Sequence, residues 1–368
     1  MQKTKNQIRK LYLSSVAGNL SLTGAWVAIL AARGYSLAEI GLAETVFHIT
    51  SILLEIPSGV FADLFGRKKM LLVSSILRTV GNIVMIFSCN LFMVCISIAF
   101  HAASYNFASG SGDALAYDSL KLAGKESYFE KYASNQLILY RLFSGLSTLC
   151  AGFALFIGHK AAYGTDVVMC ALQILIVLSL YEARVPDEGE GGSVGLTQSV
   201  KSALAQCLLT SLSFLKKERK ATALMFCNSF VGAVDILLLF FLQAKLPAAG
   251  MPNQALGAAL FFMEMGGILG AKVVLKWKKP KYRNVFAVTT ALVLLGVFLE
   301  HSGICLLMTL GGFIAAFGDD TLQVRTNTIL QDMFPSKQRA TLISMESFTF
   351  SMIMVVLSPL AGILFSRW

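Results

Sequence analysis

Charged residues are scarce in this chain. Asp, Glu, Lys and Arg make up 14% of its 368 residues, whereas a soluble domain carries about 25%. Hydrophobic residues make up 55%, and the mean hydropathy is +0.67. A surface this poor in charge is typical of a protein whose main solvent is lipid. The composition therefore predicts an all-α integral membrane protein rather than two or three soluble domains.

Motifs of enzymes and cofactor sites are missing as well. The sequence has no Walker phosphate loop, no zinc-binding helix motif and no nucleophile elbow. Its seven cysteines form no C-x-x-C pair, and most lie in apolar runs, where cysteine behaves as a small hydrophobic residue. We therefore expect no enzyme activity, no metal site, no cofactor and no structural disulfide.

The net charge of +10 raises the possibility of nucleic-acid binding. The basic residues lie in short clusters between apolar runs, however, which is the orientation signal of membrane proteins. We expect no nucleic-acid partner. We also expect no cleavable signal peptide. The basic segment 1–10 leads into an apolar run that is longer than the apolar region of a signal peptide.

Apolar runs long enough to cross a bilayer recur along the chain. A span needs about 20 residues at a rise of about 1.5 Å each. This rule predicts about eleven transmembrane helices, over residues 11–32, 37–64, 70–89, 91–120, 132–157, 161–182, 219–245, 253–276, 283–301, 303–331 and 339–366.

Basic residues outside these runs fall almost entirely on one side of the membrane. If every span crosses, that side holds 23 Lys and Arg residues and the other side holds 4. By the positive-inside rule, the first side is cytoplasmic. We therefore predict a multi-pass protein of the inner (cytoplasmic) membrane with a cytoplasmic N-terminus.

One segment, residues 55–69, combines an apolar run, a glycine break and three consecutive positive charges. Its spacing Gly-x-x-x-Asp-x-x-Gly-Arg-Lys resembles the signature loop between helices 2 and 3 of the major facilitator superfamily of secondary transporters. Leu64 departs from the pattern, because the family often has Arg or Lys there. The matching residues are Gly59, Asp63, Gly66, Arg67, Lys68 and Lys69.

The resemblance implies two pseudo-symmetric helical bundles that work by alternating access, in a monomer. A weak internal repeat agrees with it, since residues 112–115 align with 319–322 at an offset of 207. We predict a six-helix bundle over 1–182 and a five-helix bundle over 219–368. A twelfth helix is absent from this sequence, either naturally or by truncation.

The long connection 183–218 is predicted to be a cytoplasmic linker. A Gly-rich acidic stretch is followed by leucines at helical spacing, which indicates an amphipathic helix on the bilayer surface. Such a helix is either a simple tether or a regulatory element.

Twelve charged side chains lie inside the predicted spans. Each costs about 3 kcal/mol at the bilayer centre, so the interior must be wet or mutually paired. Two interpretations stay open, a site for substrate and protons or static ion pairs. Counted along their helices, Arg141, Asp235, Glu264, Asp319 and Asp320 lie nearest the middle of the membrane. The candidates are Glu55, Asp113, Arg141, Asp235, Glu264, Asp319, Asp320, Arg325 and Glu346.

Further charged residues are expected at the cytoplasmic surface. The resemblance implies that Asp63 faces the start of the last span near Arg339, where it latches the two halves together. Arg67 is expected to pair with Asp118 near the cytoplasmic end of span four. Alternatively, these charges only mark the topology. Within the spans, His48 and His101 are expected to make hydrogen-bonded helix contacts rather than a proton relay.

The leading hypothesis is proton-coupled export of small amphipathic compounds, of the multidrug-efflux type. The acidic excess in the bundle favours neutral or cationic substrates. A proton-coupled importer of a metabolite and a non-transporting remnant are the alternatives. The expected partners are a small-molecule substrate and the lipid bilayer, and the expected energy source is the proton gradient.

Overall fold

A computed structural model describes residues 2–183, 217–276, 281–333 and 339–367. Within these ranges the chain is helical and no strand occurs. The helices are α1 (Gln2–Asn19), α2 (Trp26–Ala32), α3 (Leu37–Phe65), α4 (Arg67–Phe87), α5 (Leu91–Ala108), α6 (Ser111–Lys121), α7 (Phe129–Leu149), α8 (Ala151–Ile157), α9 (His159–Leu178), α10 (Arg219–Ala248), α11 (Asn253–Lys276), α12 (Tyr282–Glu300), α13 (Cys305–Met333) and α14 (Arg339–Arg367).

Nine spans of the described chain are long and apolar enough to cross a membrane, and a tenth is added if the bent pair α7–α8 counts as one. These ten correspond to predicted spans two to eleven. The first predicted span, 11–32, is instead divided between α1 and α2, neither of which is among the nine. The all-α membrane fold is confirmed. The predicted amphipathic helix over 196–215 lies outside the described residues.

The break between α1 and α2 is held by an acidic side chain from a distant helix. Asp166 on α9 accepts hydrogen bonds from the Ser21 hydroxyl (2.6 Å), the Leu22 backbone N–H (3.0 Å) and the Thr23 hydroxyl (2.5 Å). A backbone that leaves the helix inside a membrane must find other hydrogen-bond partners. The Asp166 carboxylate supplies one for the Leu22 N–H and is only 3% exposed.

Two further predicted spans are also interrupted. Span four is divided into α5 and α6 at Gly110, whose φ of 70° lies in the left-handed region. Span five bends by 49° between α7 and α8 at Cys150. Apolar length alone therefore located these spans, whereas it gave no sign of their breaks.

The predicted break at Gly66 is confirmed, since α3 ends at Phe65 and α4 begins at Arg67. Gly66 has a φ of 98°, and a Cβ there would lie 2.6 Å from Oε2 of Glu182. The left-handed backbone conformation favours glycine at this position, and a side chain there would displace the Glu182 carboxylate.

Contacts divide the chain into two compact units. Unit 1 comprises Met1–Thr23, Thr50–Ser147 and His159–Leu209. One apolar cluster in it joins α1, α6, α7 and α9 through Leu11, Leu115, Tyr132 and Val177. Polar contacts tie α4 to α5, where the Ser74 hydroxyl donates to the Ser104 carbonyl at 2.8 Å.

Unit 2 comprises Gly24–Ile49, Thr148–Gly158 and Thr210–Trp368. Its apolar core is built mainly from α10, α11 and α13, and Ala28 of α2 and Ala151 of α8 join it. Two glycines allow close packing of α11 against the segment around α8. A Cβ at Gly152 would collide with the Asn253 carbonyl, and one at Gly257 would collide with the Leu149 carbonyl.

The contacts therefore group the chain differently from the predicted order of bundle, linker and bundle. Segments 24–49 and 148–158, which precede the linker in sequence, pack with the helices that follow it. Most of the predicted linker, 183–218, lies outside the described residues. The predicted domain boundaries at 182 and 219 stay a prediction.

Candidate functional site

Three carboxylates meet between α10 and α13 in unit 2. Asp235 lies on α10 and is 4% exposed, while Asp319 and Asp320 are partly buried on α13. The charges of Asp319 and Asp320 both act on Asp235. One Asp235 oxygen, Oδ1, is buried and has no hydrogen-bond partner in the described chain. We call Asp235, Asp319 and Asp320 the acidic cluster.

Glycines on the neighbouring helices make room for this cluster. A Cβ at Gly232, one turn before Asp235, would lie 3.2 Å from Oδ1 of Asp319. A Cβ at Gly267 on α11 would collide with Oδ2 of Asp320. The two aspartates are neighbours in sequence, and their carboxylates approach different helices. The carboxylates of α13 therefore pack closely against glycines of both α10 and α11.

Another predicted acid of unit 2, Glu346, lies on α14. The Asn228 side chain on α10 donates a hydrogen bond to Oε1 of Glu346 at 3.3 Å. Asn228 is buried, and its own Oδ1 has no partner in the described chain. Arg325, which follows the acidic cluster on α13, is partly buried.

Glu264 was expected near the middle of the membrane with the cluster. Its side chain is exposed, and its Oε1 accepts a hydrogen bond from the Thr148 hydroxyl at 2.9 Å. Its depth in the membrane stays a prediction. Counting residues along α11 predicts how far Glu264 lies from the helix ends. It does not predict which face of α11 the side chain occupies. Three other predicted side chains, those of Asp63, Arg141 and Arg339, lie outside the described residues.

In unit 1, the expected pairing of Arg67 with Asp118 is present. Arg67 Nη1 lies 2.5 Å from Oδ2 of Asp118. Asp113, predicted separately, lines the same cavity of about 510 Å³. The structure thus brings together three predicted residues at one pocket, which Lys121 also lines.

The start of α4 has an acidic partner that the sequence did not reveal. Glu182 accepts hydrogen bonds from the backbone N–H groups of Arg67 (2.9 Å) and Lys68 (3.1 Å). These are orphan donors at a helix N-terminus, where a negative charge is favoured. The Lys68 ammonium donates to the Leu178 carbonyl at 2.9 Å, so the signature loop is fixed to the end of α9.

Two other predicted positions on α3, Glu55 and Gly59, have few contacts that indicate a role. Glu55 is partly buried and interacts electrostatically with Tyr105 of α5. Gly59 is exposed, and nothing lies within 4 Å of a Cβ built on it. Close helix packing within the described chain therefore does not explain a glycine at this position.

Buried histidines behave in two ways. His48 lies 3.2 Å from a Glu44 oxygen and 3.2 Å from the Ser351 hydroxyl, which confirms the expected hydrogen-bonded helix contact. His101 is packed against Gly81. Its Nε2 atom is buried without a hydrogen-bond partner in the described residues.

Sequence reasoning missed a buried ion pair in unit 2. Glu300, at the end of α12, is 1% exposed and pairs with Lys245 of α10. His301 Nδ1 lies 3.1 Å from the other Glu300 oxygen. Glu300 lies one residue before the end of the predicted span 283–301. The burial of Glu300 depends on packing between α10 and α12, which no local pattern encodes.

Comparisons with known proteins agree with this architecture. The family model described as Major Facilitator Superfamily matches residues 11–359. The chain belongs to the major facilitator superfamily. Among superfamily relatives, it is 21% identical over 332 residues to the uncharacterized MFS-type transporter YxaM of Bacillus subtilis (strain 168). That alignment covers 88% of this chain and 79% of YxaM.

Solved structures show the same fold. A mutant form of the nucleoside transporter NupG matches with a TM-score of 0.76 and 14% identity, over 98% of this chain and 91% of that one. The D-xylose-proton symporter matches with a TM-score of 0.66 and 12% identity, over 96% and 87%. At these identities the likeness establishes the major facilitator fold and leaves the substrate open.

Proposed function

We propose that this superfamily transporter couples movement of a small organic solute to movement of protons. The acidic cluster is the observation that carries the proposal. Carboxylates gathered in a low-dielectric interior do not all carry charge at once, so the group holds and exchanges protons as a unit. Ionisable groups inside a membrane protein are costly and commonly form proton paths.

The surroundings of Asp235 support the proposal of coupling. Asp235 is buried, one of its oxygens has no hydrogen-bond partner in the described chain, and two further carboxylates act on it. Asp235 differs in this respect from Glu300, whose carboxylate pairs with the Lys245 cation. A change in packing between α10 and α13 alters the spacing of the carboxylates and hence their affinity for protons.

For direction, we propose export of small amphipathic compounds in exchange for protons. An interior site with an excess of carboxylates favours neutral or cationic solutes over anions. Import of a metabolite together with protons is the second candidate. The likeness to the D-xylose-proton symporter favours it.

Accumulation in proteoliposomes tests both candidates. Labelled solutes of four classes are offered, namely a lipophilic cation, a nucleoside, a pentose and a dipeptide. Exchange with protons concentrates the solute in vesicles that are acid inside, because protons leaving the lumen drive it in. Joint movement concentrates it in vesicles that are alkaline inside. Either result disappears in Asp319→Asn.

Three controls complete the experiment. Empty vesicles give the passive leak, and Glu130→Gln removes an exposed acid of unit 1 that lies outside the acidic cluster. An ionophore that collapses the pH gradient abolishes accumulation. Uptake that is equal under all gradients contradicts proton coupling, and no uptake of any solute favours the non-transporting alternative.

A further inference from the structure

A second cavity of unit 1 is distinct from the one lined by Arg67, Asp113 and Asp118. It has a volume of about 550 Å³ and is enclosed by the start of α1, the end of α6, the connection to α7 and the first turns of α7. Its size lies within the range of about 300–1,000 Å³ that is typical of small-molecule sites.

Three lysines from different parts of the chain converge on this cavity, namely Lys5, Lys125 and Lys131. No acidic residue is among the lining side chains. Within the described chain, these lysines make no ion pair. Like charges gathered around one cavity repel each other, so an anion in the cavity lowers the electrostatic energy. We call this space the lysine cavity.

Part of the remaining wall is apolar and includes a buried tyrosine. The rings of Tyr12 and Tyr132 lie 5.1 Å apart, and Tyr132 is 2% exposed. The Asn135 amide donates to the Tyr12 hydroxyl at 3.1 Å. The Tyr12 O–H group can therefore still donate a hydrogen bond to another acceptor. Ile8 and Leu120 complete an apolar side suited to a glycerol or acyl portion.

The location of the cavity agrees with an anionic ligand of the membrane surface. The lining residue Leu120 is two positions from Asp118, which pairs with Arg67 of the signature loop. The cavity is therefore at the signature-loop end of α6, which the charge distribution predicts to be cytoplasmic. Anionic lipid headgroups are concentrated in the cytoplasmic leaflet and bind to basic pockets between helices.

We propose that the lysine cavity binds a phosphate-bearing group that carries a net negative charge. The ammonium groups of Lys5, Lys125 and Lys131 contact the phosphate oxygens, and the Tyr12–Tyr132 wall contacts the attached glycerol or chain. The group is the headgroup of an anionic phospholipid or a soluble phosphate ester. Both sources share this chemistry, and the experiment distinguishes them.

The test follows the thermal unfolding of the full-length protein in detergent. Phosphatidylglycerol, phosphatidylcholine and glycerol phosphate are titrated separately. Phosphatidylglycerol is expected to raise the unfolding midpoint saturably and phosphatidylcholine, which has no net charge, is not. Replacing two lysines, Lys125→Gln with Lys131→Gln, weakens the apparent affinity about thirtyfold, since each charge contributes about fivefold.

Matched variants separate charge from folding. Lys125→Arg with Lys131→Arg retains the effect, and so does Lys121→Gln, which removes an exposed lysine outside the cavity. If the double Gln variant does not fold, Lys131→Gln alone gives the same test with about a fivefold loss. Stabilisation by glycerol phosphate in the same concentration range assigns a soluble ligand, and its absence assigns the lipid headgroup.

Two results overturn the proposal. One is equal stabilisation by phosphatidylglycerol and phosphatidylcholine with no response to glycerol phosphate. The other is a phosphatidylglycerol effect that the lysine substitutions leave unchanged.

Discussion

At the scale of single residues, acids in this transporter have distinct environments. Asp235 is buried beside two other carboxylates, Glu300 is buried beside a lysine, and Asp166 is buried among hydrogen-bond donors. The partner decides the role in each case. A carboxylate satisfied by a cation or by donors is structural, whereas carboxylates that share one buried region are suited to exchange protons.

Neutralising Asp235 tests this distinction. Asp235→Asn keeps the shape of the side chain and removes its proton exchange. We expect gradient-driven accumulation to fall to the level of empty vesicles, while exchange of labelled for unlabelled solute continues, because exchange needs no net proton movement. Counterflow in proteoliposomes measures the second activity. Accumulation at the wild-type level in Asp235→Asn would show that Asp235 takes no part in coupling.

Asp166 is predicted to act on stability. In Asp166→Ala, the Leu22 N–H loses its acceptor, which costs about 1–3 kcal/mol, and two hydroxyls lose theirs. We expect a lower midpoint of thermal unfolding in detergent. The control Thr165→Ala removes a hydroxyl that bonds only within α9, to the Ala162 carbonyl, and should have a much smaller effect. Equal midpoints for the two variants would contradict the structural role of Asp166.

At the scale of helices, the signature loop is a capped turn. Gly66 allows the left-handed backbone, and Glu182 binds the first N–H groups of α4. Gly66 was found from the sequence because the local motif contains it. Glu182 was not, because its partners are 115 and 114 residues away. Asp166 was missed for the same reason.

Removing the Glu182 cap should loosen the start of α4. Glu182→Ala is expected to cost about 0.5–2 kcal/mol, the usual value of an N-terminal cap with a favourable charge. Hydrogen exchange of the amides at 67–70 measures this locally and should increase. Glu126→Ala, at an exposed acid of the α6–α7 connection, should leave those amides unchanged. Unchanged exchange in Glu182→Ala would show that the contact contributes nothing to the cap.

Glycine contacts between α8 and α11 are a second feature at this scale. Gly152 lets α8 approach the Asn253 carbonyl, and segments from both sides of the long connection meet there. A side chain at Gly152 would displace the Asn253 backbone and disturb the packing of α8 on α11.

Gly152→Val is expected to reduce transport strongly, because the carbonyl that its Cβ meets belongs to the backbone and cannot turn away. Initial rates of solute uptake in proteoliposomes measure the effect. Gly164→Val is the matched control, since nothing lies within 4 Å of a Cβ at Gly164 on α9. Equal rates in the two variants would show that the close approach is not needed for transport.

At the scale of the whole molecule, apolar length and charge placement predicted the membrane class, and the signature loop predicted the superfamily. Ten of the eleven predicted spans agree with the described chain by length and composition. The interior of the site was less predictable. Its acids were identified as buried charges, but their partners depend on Gly232 and Gly267 of neighbouring helices and on the face that each helix turns inward. Glu264 is exposed because of the face that it occupies on α11, which its position along the helix does not determine.

The pH inside proteoliposomes on addition of a transported solute tests the central claim most directly. A trapped indicator reports whether protons move when the solute does, with no gradient imposed. We predict that wild-type vesicles become alkaline inside as solute enters in exchange for protons, and that Asp319→Asn vesicles show no change. Solute entry into wild-type vesicles at constant internal pH would contradict proton coupling through the acidic cluster.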